Sequence, residues 1–178
     1  TTTAGTRYYY CIASATGSSC AAASSATAMI TIVPDPSISV NPVTPSPVCT
    51  GAILTPLSVT ASGGTPSLSY QWYSNTINST SGGTLITGAT SSSYIPVTTN
   101  PGTLYYYCIV SASGSGCGTA TSTTAIITVV ADPAITVNPV SPADVCVGGT
   151  LIPLTVAASN GTPSLTYQWY SNTSNSTV

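Results

Sequence analysis

The sequence predicts an all-β chain built from tandem two-sheet sandwiches. Three observations carry this. Val, Ile, Thr and Tyr dominate in short alternating runs punctuated by Gly, Pro, Ser and Asn, the pattern of a sandwich or barrel. No apolar stripe of 3.6-residue period reaches helical length. And Tyr70-Gln71-Trp72-Tyr73-Ser74-Asn75-Thr76 returns letter for letter as Tyr167-Gln168-Trp169-Tyr170-Ser171-Asn172-Thr173, a step of 169 − 72 = 97 residues. Tyr8-Tyr9-Tyr10-Cys11-Ile12 returns as Tyr105-Tyr106-Tyr107-Cys108-Ile109 at the same step. A fixed step between similar segments marks a repeat architecture.

The repeat sets the expected organisation. Residues 1–36 align without a gap to 98–133, and 35–81 to 132–178, the second overlap with 32 identities in 47 positions. The chain divides into the back part of one repeat (1–35), one whole repeat (36–132) and the front part of a third (133–178). Two full repeats would take 2 × 97 = 194 residues; the missing 194 − 178 = 16 correspond to Gly82–Val97. A sandwich cut through its middle exposes strand edges and half a core. The expectation is therefore a window on a long array, or copies whose broken halves complete each other by strand complementation. Either way the product is a polymer of domains.

The whole repeat reads as follows. Ile38-Ser39-Val40 opens strand A, made an edge or irregular strand by Pro42, Pro45 and Pro47, which cannot donate to a ladder. Thr50-Gly51 turns. Leu57, Val59 and Ala61 alternate as strand B, and Gly63-Gly64-Thr65-Pro66 is a loop. Leu68, Tyr70 and Trp72 alternate as strand C, before a polar loop from Asn75 to Gly83. Thr84-Leu85-Ile86 and Tyr94-Ile95-Pro96-Val97 are short strands around Gly88. Asn100-Pro101-Gly102 turns into strand F, where Tyr106, Cys108 and Val110 alternate. Gly114-Ser115-Gly116 is a hairpin tip, and Ala125, Ile127 and Val129 alternate as strand G. Ala131-Asp132-Pro133, with Pro34-Asp35-Pro36 as its earlier copy, is a linker short and stiff enough to make a rod.

Composition removes several function classes. The chain has one Arg, no Lys, no His, no Glu and three Asp, so about 2% of it is charged where roughly 25% is normal. Solubility rests on Ser, Thr and Asn. Phosphate binding needs several cations, so no nucleic-acid partner is expected. No run of 18 apolar residues exists, so no membrane insertion is expected in this segment. General acid–base chemistry has only Asp35, Asp132, Asp144, tyrosines and thiols to draw on, and neither a catalytic site nor a cofactor is expected. The scarcity of Lys and Arg also leaves trypsin-like proteases almost no cleavage site, which suits a durable extracellular polymer.

Seven short strands in about a hundred residues suggest a two-sheet sandwich. Val59 precedes Trp72 by thirteen residues, and Tyr106-Tyr107-Cys108 follows on strand F. This order resembles the immunoglobulin fold, with its strand-B Cys, strand-C Trp, strand-F Cys and a corner Tyr two residues earlier. Val59 and Val156 stand where the strand-B Cys would be. The usual inter-sheet disulfide therefore cannot form. Cys108, and Cys11 as its copy, are expected to be buried free thiols, with Trp72, Trp169, Tyr106 and Val59 as core landmarks. More narrowly, Val48-Cys49-x-Gly51, Thr60-Ala61-Ser62-Gly63-Gly64, Tyr70 to Asn75, Ile86-Thr87-Gly88-Ala89-Thr90-Ser91, Gly102 to Tyr107 and Gly116-Cys117 resemble the tandem immunoglobulin-like repeats of large Bacteroidota-type surface proteins. Such repeats serve as adhesin stalks, spacers and filament bodies.

That resemblance implies a disulfide between the Val-Cys-x-Gly cysteine and the one after strand F: Cys49 with Cys117, and Cys146 and Cys20 as their copies. In an ideal sandwich these positions lie at opposite ends, beyond the ~4.4–6.8 Å Cα range of a bridge. Either strand A departs from the ideal and Cys49 reaches Cys117 in the same domain, or the bridge crosses a junction between domains. Both imply an oxidising, extracellular or cell-surface location. A zinc site would need Cys-x-x-Cys or His ligands, and neither occurs.

Strand alternation turns Tyr73, Tyr105, Tyr107 and Ile109 outward if Trp72 and Tyr106 face in, with Tyr8, Tyr10 and Tyr170 as copies. Cross-strand pairing, lateral bundling against another filament, and glycan stacking are the readings of that patch. Asp35 and Asp132 read as turn residues; a calcium-stiffened junction would need more carboxylates than one per linker. Asn78-Ser79-Thr80, Asn160-Gly161-Thr162, Asn172-Thr173-Ser174 and Asn175-Ser176-Thr177 are glycosylation-type sequons on polar loops. Gly63-Gly64 and Gly82-Gly83 are turns rather than phosphate cradles, since no helix follows. The expected function is structural: a head-to-tail polymer of copies of itself forming an extracellular filament or stalk. The alternative is an adhesin that binds glycan through the tyrosines.

Overall fold

A computed structural model describes residues 3–17 and 19–175. The described residues form sixteen strands and no helix. The first four are β1 (Gly5–Tyr9), β2 (Ile12–Ala13), β3 (Ala23–Ser24) and β4 (Ala28–Ile32), which pair as two antiparallel hairpin rungs, β1 with β4 and β2 with β3. Ten strands then close one sandwich: β5 (Ser37–Val40), β6 (Val48–Cys49), β7 (Leu57–Ser58), β8 (Thr60–Ser62), β9 (Leu68–Asn75), β10 (Thr84–Leu85), β11 (Ser93–Tyr94), β12 (Gly102–Ala112), β13 (Thr119–Thr121) and β14 (Ala125–Val130). Finally β15 (Ala134–Val137) pairs with β16 (Ala157–Ser159).

One layer of the sandwich runs β10-β9-β12-β14-β6, with β13 also on β12. The other holds β5 on β8 and β11 on β7. Only Val59 separates β7 from β8, and its N–H donates to Ser92 O at 2.9 Å. In immunoglobulin terms these are the C′-C-F-G-A′ and A-B-E sheets, so the fold is an immunoglobulin-like β-sandwich. Of the two readings its prolines suggest, edge or irregular, the first strand takes the irregular one. It leaves β8 after Val40, crosses between layers through the proline-rich 41–47 segment, and rejoins as β6, parallel to β14 (Val48↔Val129, Cys49↔Val130). Prolines suit the crossing because no ladder partner waits there. Side chains hold it instead: Asn41 Oδ1 accepts the Thr123 N–H and Thr44 Oγ1 the Ile126 N–H.

The core lies between the layers. Leu57 and Val59 face Trp72, Tyr106, Cys108, Val110, Ala125, Ile127 and Val129. Trp72 is fully buried; its Nε1–H donates to Ser91 O at 2.9 Å and its ring lies 6.0 Å from Tyr94, itself 5.8 Å from Tyr106. Strand G is broken between β13 and β14, where buried Ser122 takes over: its N–H donates to Cys108 O and its Oγ accepts the Cys108 N–H, both at 2.9 Å. Ser25 makes the same pair of bonds to Cys11, at the 97-residue step.

Candidate functional site: the sheet face and the junction

On the outer face of the β9–β12 ladder, Tyr73 and Tyr107 are register partners and stack at 5.2 Å with an interplanar angle of 8°. Here the expectation of an open aromatic patch needs correction. Tyr107 points outward but is only 3% exposed. The 75–83 loop folds over it: Asn75 Nδ2 donates to Ser79 O and Ser81 O, and Gly83 comes so close that a Cβ there would lie 2.7 Å from the Tyr107 hydroxyl. Tyr73, Tyr105 and Ile109 are half-buried. Tyr8, Tyr10 and Tyr170, their copies in the flanking segments, are exposed, Tyr170 at 89%. The flanks also expose positions that are core in the sandwich: Trp169 is 49% exposed where Trp72 is 0%, and Cys11 is exposed where Cys108 is buried.

Burial sets the chemistry of the inner groups. It pushes the Cys108 thiol up to about 11, offset in part by a hydrogen bond from the Gln71 backbone. Burial likewise raises Tyr94 and Tyr106, the latter further by the neighbouring Tyr94. These groups stay neutral and inert rather than nucleophilic.

The 33–36 segment ahead of β5 is held by close backbone approach. The Gly64 N–H donates to Pro34 O at 2.7 Å. Gly64 has φ +69°, and a Cβ on it would meet Ala112 Cβ at 2.8 Å and Pro36 Cγ at 3.1 Å; only glycine fits such a position. Asp35 Oδ1 accepts the Gly118 N–H at 2.9 Å, tying the linker to the base of the F–G hairpin. At the 97-residue step the Gly161 N–H donates to Ala131 O at 2.9 Å, again against a proline, Pro133. Asn160 takes the Gly63 position with φ +64°. Between the preceding strand and the F–G hairpin lies an open cavity of about 510 Å³, lined by Ile32, Val33, Asp35, Thr65, Ser115 and Cys117 among others.

A family model described as "Domain of unknown function (DUF8696)" matches residues 43–131, half of the chain. The chain belongs to this family. The DUF8696 span runs from the proline-rich crossover to the residue after β14. Among solved structures the chain is similar to "Sidekick-1 immunoglobulin domains 1-5", at 22% identity and a TM-score of 0.43, over 78% of this chain and 29% of that one. The chain thus spans less than a third of that chain's length. Comparison with curated proteins gave no match.

Within this DUF8696 chain the six cysteines are all free thiols. Cys108 shares the core with Val59. Cys49 and Cys117 do not meet: one sits beside Val130 at the end of strand G, the other before β13 at its start, with Sγ 3.9 Å from Thr65 O. Among the described residues no three His, Cys, Asp or Glu side chains cluster in a way that would hold a metal, and no helix is long and apolar enough to cross a membrane. Ser176 and Thr177 of the last sequon lie outside the described residues. Sequence reasoning missed Gln71, whose Nε2 donates to Ile86 O at 2.8 Å and anchors the C–C′ connection, and Ser122. Ser25 and Ser122 recur at the repeat step just ahead of the last apolar strand, and that recurrence is the signal that marks them.

Proposed function

We propose that this chain is a run of tandem immunoglobulin-like repeats, divided at 1–35, 36–132 and 133–178, that serves as a structural segment of an extracellular filament or cell-surface stalk of the Bacteroidota type. The observation that carries the reading is the junction. The glycine-to-linker hydrogen bond and the glycine–proline packing recur at both linkers with the 97-residue step. A hydrogen-bonded linker orients successive sandwiches; a flexible tether would have no use for it. Copies of the same repeat are the partners, head to tail, with lateral bundling through the half-exposed face of Tyr73, Tyr105 and Ile109.

Electron microscopy of the native material tests this. The expected image is a rod with an axial spacing on the order of 40 Å, one sandwich length; isolated compact particles would overturn it. The glycan-adhesin reading rests on the half-exposed Tyr73 and Tyr105. A glycan array of the chain beside a Tyr105→Ala variant separates the two, since a structural role leaves no array signal to lose.

A further inference from the structure

The two non-core cysteines of the sandwich lie at opposite poles, and the distance between the poles is set by strand G. Cys49 is the register partner of Val130, and Thr50 N–H donates to Val130 O at 3.0 Å. Cys117 is tied to the other pole, its N–H donating to Gly114 O at 3.1 Å. Between them run β13 and β14. Thr119 to Val130 is eleven residue steps, roughly 35 Å of strand at about 3.3 Å each, against the ~4.4–6.8 Å that a disulfide allows. A bridge between Cys49 and Cys117 of one sandwich is excluded by its geometry.

The junction offers the other arrangement. Cys117 and Val33 line the same cavity. Val33 is the copy of Val130 at the 97-residue step, and β4 runs into the linker as β14 does. In a closed sandwich the residue beside Val130 on the neighbouring strand is Cys49. A complete repeat ahead of this junction therefore places its own Val-Cys-x-Gly cysteine one strand spacing, about 5 Å, from Val33, at the edge of the cavity that Cys117 occupies.

We propose that the Val-Cys-x-Gly cysteine of each repeat forms a disulfide with the F–G cysteine of the repeat that follows it, so that every junction is covalently bridged. Cys49 and Cys146 face forward to the next repeat; Cys20 and Cys117 face back to the previous one. The inference rests on the tandem reading above. The reaction is thiol–disulfide exchange with a disulfide-donating oxidant of the extracytoplasmic compartment. One thiolate attacks that donor's S–S bond and forms a mixed disulfide, releasing the first donor thiol. The second cysteine's thiolate then displaces the other donor thiol. Two protein thiols become one disulfide, and one donor disulfide becomes two thiols. Cys108 takes no part, being fully buried between the sheets.

The Asp35-Pro36 and Asp132-Pro133 bonds give a direct test, since Asp–Pro peptides cleave in dilute acid, where disulfides do not reshuffle. The native array is alkylated under denaturing conditions, cleaved in acid, and run with and without reductant. Cross-junction bridges keep the fragments joined in multiples until reduction collapses them to single repeats. Single repeats without reductant overturn the proposal, whether their cysteines prove free or bridged within a repeat. Cys117→Ser, which alters no core position, should unlink the one junction ahead of its repeat and expose one additional alkylatable cysteine, the Val-Cys-x-Gly cysteine of the preceding repeat. A rod in micrographs of the same sample with unlinked fragments sinks the disulfide alone; the absence of a rod sinks the tandem reading.

Discussion

Ser122→Ala tests whether the break in strand G is held by one hydroxyl. Ser122 is buried, and its Oγ accepts the N–H of Cys108 and donates to Thr123 O at 2.8 Å. Cys108 is fully buried, so removing the oxygen leaves its N–H with no partner and no water. An orphaned buried donor costs about 1–3 kcal/mol. Thr123 is exposed and its carbonyl can rehydrate, adding little. The Ser122 N–H still donates to Cys108 O, so the strands remain in register. The net expectation is a loss of about 1–3 kcal/mol, read as a lower midpoint with unchanged slope in urea unfolding followed by fluorescence of buried Trp72. Ser69→Ala is the control: its exposed hydroxyl bonds Ser111 at the surface, where water replaces it, and its loss should cost under ~0.5 kcal/mol. An unmoved midpoint in Ser122→Ala, or equal losses in both variants, would refute the reasoning.

Tyr107→Ala should destabilise the sandwich by about 3 kcal/mol, as deletion of a buried aromatic does, whereas Tyr73→Ala should lose only about 1 kcal/mol, mainly the stacking contact; equal losses would show that the loop over Tyr107 does not seal it. Stability should fall as pH rises from about 9 to about 11, because the Cys108 thiol ionises in the unfolded chain first and its neutral form is favoured in the fold up to about 11. That contribution is fully present below pH 9 and gone above about 11. Urea midpoints across that range check it, and Cys108→Ala should make the fall shallower, leaving the part due to Tyr94 and Tyr106, which burial also raises.

Much of the fold was legible because the apolar alternation of strands B, C, F and G carries the core directly: Val59, Trp72, Cys108, Val110, Ile127 and Val129 sit where period-two reading puts them. Strand A resisted because its placement depends on side chains rather than on pattern. Asn41 and Thr44 bind amides some eighty residues away, and no local period encodes such contacts. The tyrosine face was misjudged for a related reason. Alternation tells which way Tyr107 points, but only the course of the 75–83 loop decides whether solvent reaches it. The cysteines needed both kinds of information. The step of the repeat relates Val33 to Val130, and the parallel register of β6 on β14 sets Cys49 beside that valine.

The small parallel patch has a mechanical meaning. When the chain is pulled along its length, Ser37 and Val130 are drawn apart, and β6 and β14 carry the load in opposite directions along their own axes. The bonds of Thr50 N and Thr50 Oγ1 to Val130 O, at 3.0 and 3.2 Å, lie across that pull beside the Val48–Val129 and Cys49–Val130 pairs. Loaded in shear, they must give way together, where an antiparallel hairpin pulled from its open end would unzip bond by bond. The crossover that three prolines force on the first strand thus places a mechanical clamp at the point where tension leaves the sandwich.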